Sequence, residues 1–309
     1  VADDMLKKLE SIGGNHTLSD FGNTTAEWVK PISLDYRGFR IHECPPNGQG
    51  IVALIILSIL EKFDLKKMSK VNYIHVFCEA TKIGYFLRDE YLGDPELNKL
   101  SVEHFLSSNL LDKYASEIDI NRAKFYSIND FPEHPDTIYL TVRDRNGMVI
   151  SFINSLFDAF GSGITAPKSG VLFHCRGRAF STIEGHPNEL NPNKRPVHTI
   201  IPAMISKNNK LLGSFGVMGG QYQAAGHAYV LSKMIDFGLN PQLALNYPRV
   251  FPNNNVLDIE NDFDINLIND LKLRGHQINY PVPPIGGGQV ILIDEERDVL
   301  IGASDWRKD

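Results

Sequence analysis

The sequence of 309 residues predicts a layered α/β fold. Three observations point to it. The first half reads as helices, two of them long and buried; the character changes near Asp130; the second half is dominated by alternating, strand-like runs. Helices gathered in one half and strands in the other suit layered packing better than a repeating βαβ unit.

The elements follow in order. Asp3 to Ile12 places Met5, Leu6, Leu9 and Ile12 at helical spacing and stops at Gly13-Gly14, a C-terminal capping signal. Leu34 to Cys44 alternates loosely and suits a strand. Gly48 to Phe63 and Val71 to Tyr91 read as long buried helices, Glu103 to Ser107 and Leu110 to Ile118 as shorter ones. The stretch Asp130-Phe-Pro-Glu-His-Pro-Asp136 combines prolines with acids and reads as an exposed linker. Strands are expected at Thr137 to Asp144, Met148 to Ser155, His198 to Ser206, Lys210 to Val217, Val256 to Ile259, Gln289 to Ile293 and Val299 to Ala303. Helices at Gln221 to Phe237 and Phe263 to Leu273 interrupt them, ending at Gly238 and Gly275. There are no internal repeats.

Composition excludes several functions. Hydrophobic residues make up 42% and charged residues 22%, the range of a globular protein. A net charge of −6 without a basic tract argues against nucleic acid as a partner. The apolar run Ile51 to Leu60 is half a membrane span and reads as a core helix, so no membrane partner is expected. The first residues, Val1 to Lys8, are charged and amphipathic, unlike a signal peptide, and a cytoplasmic location is expected. The chain does not begin with Met and is read as a fragment or a processed product. Cys44, Cys78 and Cys175 have no metal-ligand spacing and read as free thiols, and the histidines show no His-Glu-x-x-His pattern. No metal and no cofactor are expected.

Chemistry concentrates at a hairpin and a glycine pair. Arg145-Asn146-Gly147 is a three-residue loop with glycine at its left-handed position. This register sets Asp144 opposite Met148, Thr141 opposite Ser151 and Thr137 opposite Ser155. One face then carries Thr137, Thr141, Ser151 and Ser155, the other Ile138, Leu140, Val142, Ile150 and Phe152. The apolar face is expected on the core and the hydroxyl face elsewhere. Thr137 follows the linker. Cleavage between Asp136 and Thr137 would free an α-amino group beside a hydroxyl, giving the threonine its own base. Ser155, across the hairpin, would orient the Thr137 oxygen. In Phe215-Gly-Val-Met-Gly219-Gly220 a strand runs through paired glycines into a helix, and N–H groups at such a turn suit a developing oxyanion. An ordinary tight turn would carry the same sequence. Gly286-Gly287-Gly288 reads as a flexible turn.

Together these residues resemble the γ-glutamyltransferase family of N-terminal nucleophile hydrolases. The resemblance runs nearly end to end: Asp35-Tyr-Arg-Gly38, Pro45-Pro-Asn-Gly-Gln-Gly50, Tyr91-Leu-Gly-Asp-Pro95, Phe160-Gly-Ser-Gly-Ile164, Asn193-Lys-Arg-Pro196, Met218-Gly-Gly220, Ala244-Leu-Asn-Tyr-Pro-Arg249 and Gly302-Ala-Ser-Asp305. It implies a four-layer αββα sandwich, with residues 1–136 ending the large subunit and residues 137–309 forming the small one, together one structural domain. It implies self-cleavage at Asp136–Thr137, Thr137 as nucleophile, Gly219 and Gly220 as oxyanion glycines and Ser155 as the supporting hydroxyl. It also implies an absent N-terminal part of the large subunit as partner and a small-molecule amide as substrate, and it leaves a homo-oligomer open.

Departures from the family pattern bear on substrate. The family's Asn and Asp that hold an α-amino group are Phe157 and Ala179 here, and its carboxylate-binding serine pair is His198-Thr199. Arg176-Gly-Arg178 and His198 resemble the branch with cephalosporin acylase-like and oxamate amidohydrolase-like members. Arginine suits a bidentate carboxylate contact, though Arg176 and Arg178 also read as solvated surface charges. The expected activity is hydrolysis or transfer of a small dicarboxylic or γ-glutamyl acyl group through acyl-Thr137. The rival reading is an inert family member or fragment acting as a binding or structural subunit.

Overall fold

The computed structural model describes residues 1–95, 101–127 and 137–308. In chain order the main elements are α1 (Ala2–Glu10), α2 (Leu18–Gly22), β1 (Ile32–Tyr36), β2 (Phe39–Glu43), α3 (Gly50–Leu60), α4 (Lys70–Tyr91), α5 (Val102–Phe105), α6 (Ser108–Ser116), β3 (Ile138–Arg143), β4 (Val149–Asn154), β5 (Ala203–Lys207), β6 (Lys210–Met218), α7 (Tyr222–Ile235), α8 (Pro241–Asn246), β7 (Val250–Asn253), β8 (Val256–Ile259), α9 (Ile265–Leu273), β9 (Gln277–Asn279), β10 (Gly287–Asp294) and β11 (Val299–Ser304). The mixed α/β expectation holds. The linker expected at residues 130–136 lies outside the described residues.

The run from Ile51 becomes α3, whose 11 residues are all buried. A helix apolar on every side has no face to give to water, so it lies inside, against α4 and α7. Each fully buried Leu or Ile there contributes about 1.5–3 kcal/mol.

One sheet has the order β1-β2-β5-β6-β10-β11, mixing a hairpin from the first half with strands from the second. That hairpin corrects the single strand expected from Leu34 to Cys44. Tyr36 pairs with Phe39 around Arg37 and Gly38, whose φ angles are 52° and 80°. Only Gly38 signals the turn in sequence. Arg37 is held in the left-handed region by its side chain, which donates to the Leu60, Glu61 and Phe63 carbonyls at the end of α3 and pairs with Asp236 at 3.0 Å. The strand expected from His198 is also shorter. His198 instead runs beside Asn47 to Gln49, donating to the Asn47 carbonyl at 3.2 Å and accepting from Gln49 N at 3.0 Å. α8, β7 and β9 were not anticipated.

β6 sorts its neighbours by alternation, since successive side chains face opposite ways. Phe215 packs on His227 of α7, with ring centroids 5.0 Å apart. Val217 lies against Gly226 of the same helix. Ser214 bonds Thr141, and Gly216 receives the Tyr139 ring. The helix and the β3–β4 hairpin therefore lie on opposite faces of β6.

The hairpin register is as expected, with Thr141 opposite Ser151 and Asp144 N donating to the Met148 carbonyl at 2.9 Å. Its face assignment is reversed. The side with Thr137, Tyr139 and Thr141 packs inward, while Ile138, Leu140, Val142, Ile150 and Phe152 are 41–68% exposed. The inward side is accepted because Tyr139 and Ile153 supply apolar bulk and the hydroxyls find partners in Ser214 and in Tyr139 itself.

Far from the hairpin, His75 of α4 and His276 meet in the core. His75 Nε2 donates to the Asp119 carbonyl at 2.8 Å, which leaves Nδ1 to accept from His276 Nε2, also at 2.8 Å. Burial pushes His75 down to about 4 and His276 down to about 3. The unfolded chain binds these protons near pH 6.5 and the folded chain does not. This contribution to stability is therefore complete above pH 6.5 and is lost as pH falls toward 4, at up to about 1.4 kcal/mol per pH unit per histidine. Thermal unfolding should give a level melting temperature from pH 7 upward and a falling one below 6. His276→Gln should flatten that fall; an unchanged slope would remove the pair from the account.

Candidate active site

Thr137 stands at the head of β3, 6% exposed. Ile138 pairs with Asn154, and one further step along the ladder brings Thr137 opposite Ser155. The Thr137 hydroxyl accepts from Gln223 Nε2 at 3.4 Å. Among the described residues no bond joins it to Ser155. The Ser155 hydroxyl and carbonyl accept instead from Arg176 Nη2, at 2.7 and 2.9 Å. Asp136, on the other side of the expected cut, lies outside the described residues.

Arg176 is fixed from two sides. Ser155 holds one nitrogen, and the guanidinium lies 5.8 Å from the centroid of the fully buried Phe157 ring. Phe157 has φ 85°, a rare region for an aromatic residue and one that stores roughly 1–3 kcal/mol of strain. Arg178 points outward and pairs with Asp158. Ala179 is buried, its carbonyl accepting from Asn188 Nδ2 at 2.6 Å. Of the two arginines, only Arg176 therefore faces the hairpin.

His198 and Thr199 are carried on the strap beside Gln49. Burial first, then the Arg176 and Arg195 charges, push His198 down to about 4, so it is neutral at neutral pH. Among the described residues, Arg176 Nη1, His198 Nδ1, Thr199 Oγ1 and Gln223 Oε1 are buried and have no hydrogen-bond partner. Native proteins seldom leave such atoms unsatisfied, so they suit contacts to a ligand; Gln223 touches Thr137 and Arg176 touches Ser155.

The glycine turn adds open donors. Gly219 has φ 123° and Gly220 φ 57°, both in the region that favours glycine. Among the described residues, neither N–H is bonded to an acceptor outside the strand ladders. Their carbonyls are engaged: Gly219 O accepts from Tyr222 N at 3.0 Å and Gly220 O from Gln223 N at 3.3 Å. Gly286 closes the turn from behind. A Cβ on Gly219 would lie 2.7 Å from Gly286 Cα. The flexible turn expected at Gly286-Gly287-Gly288 is thus close-packed structure, and Gly287 and Gly288 begin β10.

Sequence reasoning passed over Gln223, Gln49 and Arg88. Gln223 had a signal, a glutamine two residues inside a helix that follows paired glycines. Gln49 lies within the Pro45–Gly50 motif, which carries no spacing that points to a role. A possible metal triad, His75, Glu79 and His276, has ligand atoms within 4.8 Å of one another, yet these atoms are already engaged: the histidines bond each other, and Glu79 pairs with Lys82 at 2.5 Å. The three cysteines are free; Cys78 is buried and the other two are partly so.

Compared with known proteins, residues 1–309 match the sequence profile described as Gamma-glutamyltranspeptidase. The chain is 35% identical over 321 residues to the Glutathione hydrolase-like YwrD proenzyme of Bacillus subtilis (strain 168), covering 100% of this chain and 60% of that one. It is 30% identical over 249 residues to the Oxamate amidohydrolase proenzyme of Klebsiella pneumoniae, covering 81% of this chain and 47% of the relative. Among solved structures, the cephalosporin acylase from Bacillus halodurans superposes with a TM-score of 0.93 at 38% identity, covering 99% of this chain and 56% of that one. The chain thus spans about half the length of the proteins it matches.

The packing at Gly286 gives a stability test. Gly286 has φ 62°, and an added Cβ would run into the Met218 carbonyl and the Tyr222 ring. Gly286→Ala should cost about 1–3 kcal/mol, read as a lower denaturation midpoint. Gly302→Ala, which meets nothing within 4 Å, should stay within about 0.5 kcal/mol of wild type. Equal effects would mean that Gly286 is not closely packed.

Proposed function

The chain belongs to the Gamma-glutamyltranspeptidase family, and from that premise we propose that it is the self-cleaving, amide-hydrolysing or acyl-transferring part of such an enzyme, with Thr137 as nucleophile. Cleavage at Asp136–Thr137 frees the Thr137 amine. That amine takes the proton of its own hydroxyl as the oxygen attacks the substrate carbonyl. The tetrahedral oxyanion forms against the Gly219 and Gly220 N–H groups. The amine then protonates the leaving nitrogen, and water or a second amine opens the acyl-Thr137 ester. The observation that carries this reading is the buried Thr137 hydroxyl under Gln223, whose helix opens with the glycine turn. Ser155, one step along the ladder from the Ile138–Asn154 pair and held by Arg176 Nη2, is the hydroxyl that would support the nucleophile once cleavage frees it.

The architecture fits a larger assembly. α7, β6 and the β3–β4 hairpin stack in that order, and the outer apolar face of the hairpin is the place for a fourth, helical layer. In this reading residues 1–136 end the large subunit, residues 137–309 form the small one, and the layer comes from large-subunit sequence beyond this chain.

Arg176, His198 and Thr199 face the acyl group. Phe157 and Ala179 offer no polar group to an α-ammonium, and a buried ammonium without partners is disfavoured. A dicarboxylic acyl donor such as a glutaryl amide suits the site better, its free carboxylate held by Arg176 Nη1, which has no partner among the described residues.

Two outcomes are expected. Thr137→Ala should leave the full-length protein as one intact mass and abolish turnover; a correctly cut variant would exclude Thr137 from maturation. On a pair of anilides differing only in the α-amino group, wild-type kcat/KM should favour the glutaryl compound. Arg176→Ala should raise its KM more than it lowers kcat. A clear preference for the γ-glutamyl anilide would restore γ-glutamyl transfer as the activity.

A further inference from the structure

The glycine turn is clamped by a buried polar network that the chemistry described above does not use. Arg88 of α4 donates through Nη1 to Gln49 Oε1 at 3.0 Å and to Gln221 Oε1. Its Nε donates to Asp89 at 2.6 Å, and its guanidinium lies 4.6 Å over the Tyr85 ring. Gln49 Nε2 donates to both the Thr199 and the Gly220 carbonyls, each at 3.3 Å. Tyr85 donates to the Gln221 carbonyl. Gln49, Tyr85, Arg88 and Gln221 are all buried.

The geometry gives this network a task. In a trans peptide the N–H points opposite to the C=O of the same plane, so a plane that flips exchanges a donor for an acceptor. Two successive glycines at positive φ flip more easily than any other pair. The Gly220–Gln221 plane is held through Gly220 O by Gln49, and the next plane through Gln221 O by Tyr85. Gly220 is thereby fixed from its C-terminal side, while the Gly219 carbonyl, tied to Tyr222 N, fixes the plane that carries the Gly220 N–H. Arg88 has donors only. Both glutamine amides must turn their oxygens toward it, and this aims Gln49 Nε2 at the Gly220 carbonyl.

We propose that Gln49 and Arg88 are positioning residues that hold the Gly219–Gly220 turn with its N–H groups open, so that the segment before Thr137 sets the oxyanion site of the segment after it. The inference rests on the Thr137 reading. Both residues act through the turn and touch no substrate.

Gln49→Glu tests it in the full-length protein. The variant keeps the size of the side chain and an oxygen for Arg88, and it replaces the one donor shared by the Gly220 and Thr199 carbonyls. Arg88→Lys keeps the charge and loses the fork that holds two amides. On whichever of the two anilides the wild type cuts, kcat per cleaved molecule should fall about 10²-fold in Gln49→Glu, the scale of a lost oxyanion donor, with KM within about threefold. Arg88→Lys should fall in the same direction by at least about tenfold. The boronic acid matching the acyl group, which forms a tetrahedral adduct, should lose affinity in parallel with kcat, while the free acid product keeps its own. A structural defect would weaken both ligands alike. If Gln49→Glu leaves too little cut protein to assay, Arg88→Lys carries the comparison. A kcat within threefold of wild type, or equal weakening of boronate and product, overturns the clamp and leaves the Thr137 reading standing. Wild-type protein that is neither cut at Thr137 nor bound by the boronate removes that reading, and the clamp with it.

Discussion

A turn of two glycines joins β6 to α7, and its shape is held by side chains from the other half of the chain. Glycine permits the positive φ angles at 219 and 220 but does not enforce them. Enforcement comes from Gln49 on the Gly220 carbonyl, Tyr85 on the Gln221 carbonyl and Gly286 packed against Gly219. A second buried set acts at the end of the strand: Val217 N donates to His227 Nε2 at 3.1 Å, and His227 Nδ1 lies 2.7 Å from Glu43. Burial holds the Glu43 carboxyl above the usual range, against the pull of His227. With these carbonyls taken, the peptide planes of the turn are fixed.

The same logic runs through motifs that lie far apart in sequence. Asp94 pairs with Arg195 at 3.2 Å, joining the segment after α4 to the strap that leads to His198. Arg249 pairs with Asp305 in full burial and donates to the Ile285 carbonyl at 2.6 Å, which anchors the loop carrying Gly286. Tyr36 donates to Asp236 at 2.5 Å, tying the first hairpin to the end of α7. Buried charges of this kind are poor sources of net stability but are destructive when one partner is lost, so they fix register more than they add free energy. Each bond ties one element to another far away in sequence.

Much of this was legible in the sequence and some was not. Apolar run length gave α3 and α4, and glycine stops gave the ends of α1, α7 and α9. The loop Arg145-Asn146-Gly147 gave the hairpin register, because turn chemistry is local. The exposed face of the hairpin was misjudged because alternation names two faces without saying which one meets the core. Tyr139 supplies the bulk for the inward face, and Gly216 opposite makes room for it. Gln49 and Arg88 gave no signal as a pair, since their contact spans 39 residues and no periodicity encodes it. Gly286 reads as flexible in sequence because a glycine needed for close approach and one needed for freedom look the same there.

The most direct test is a crystal structure of the full-length protein inactivated by an acyl-mimicking boronic acid. The account predicts a covalent bond from boron to Thr137 Oγ1. It also predicts one boronate oxygen within about 3 Å of the Gly219 and Gly220 nitrogens, with Gln49 still on the Gly220 carbonyl. An adduct on another residue, or a boronate oxygen turned away from both glycines, would contradict it.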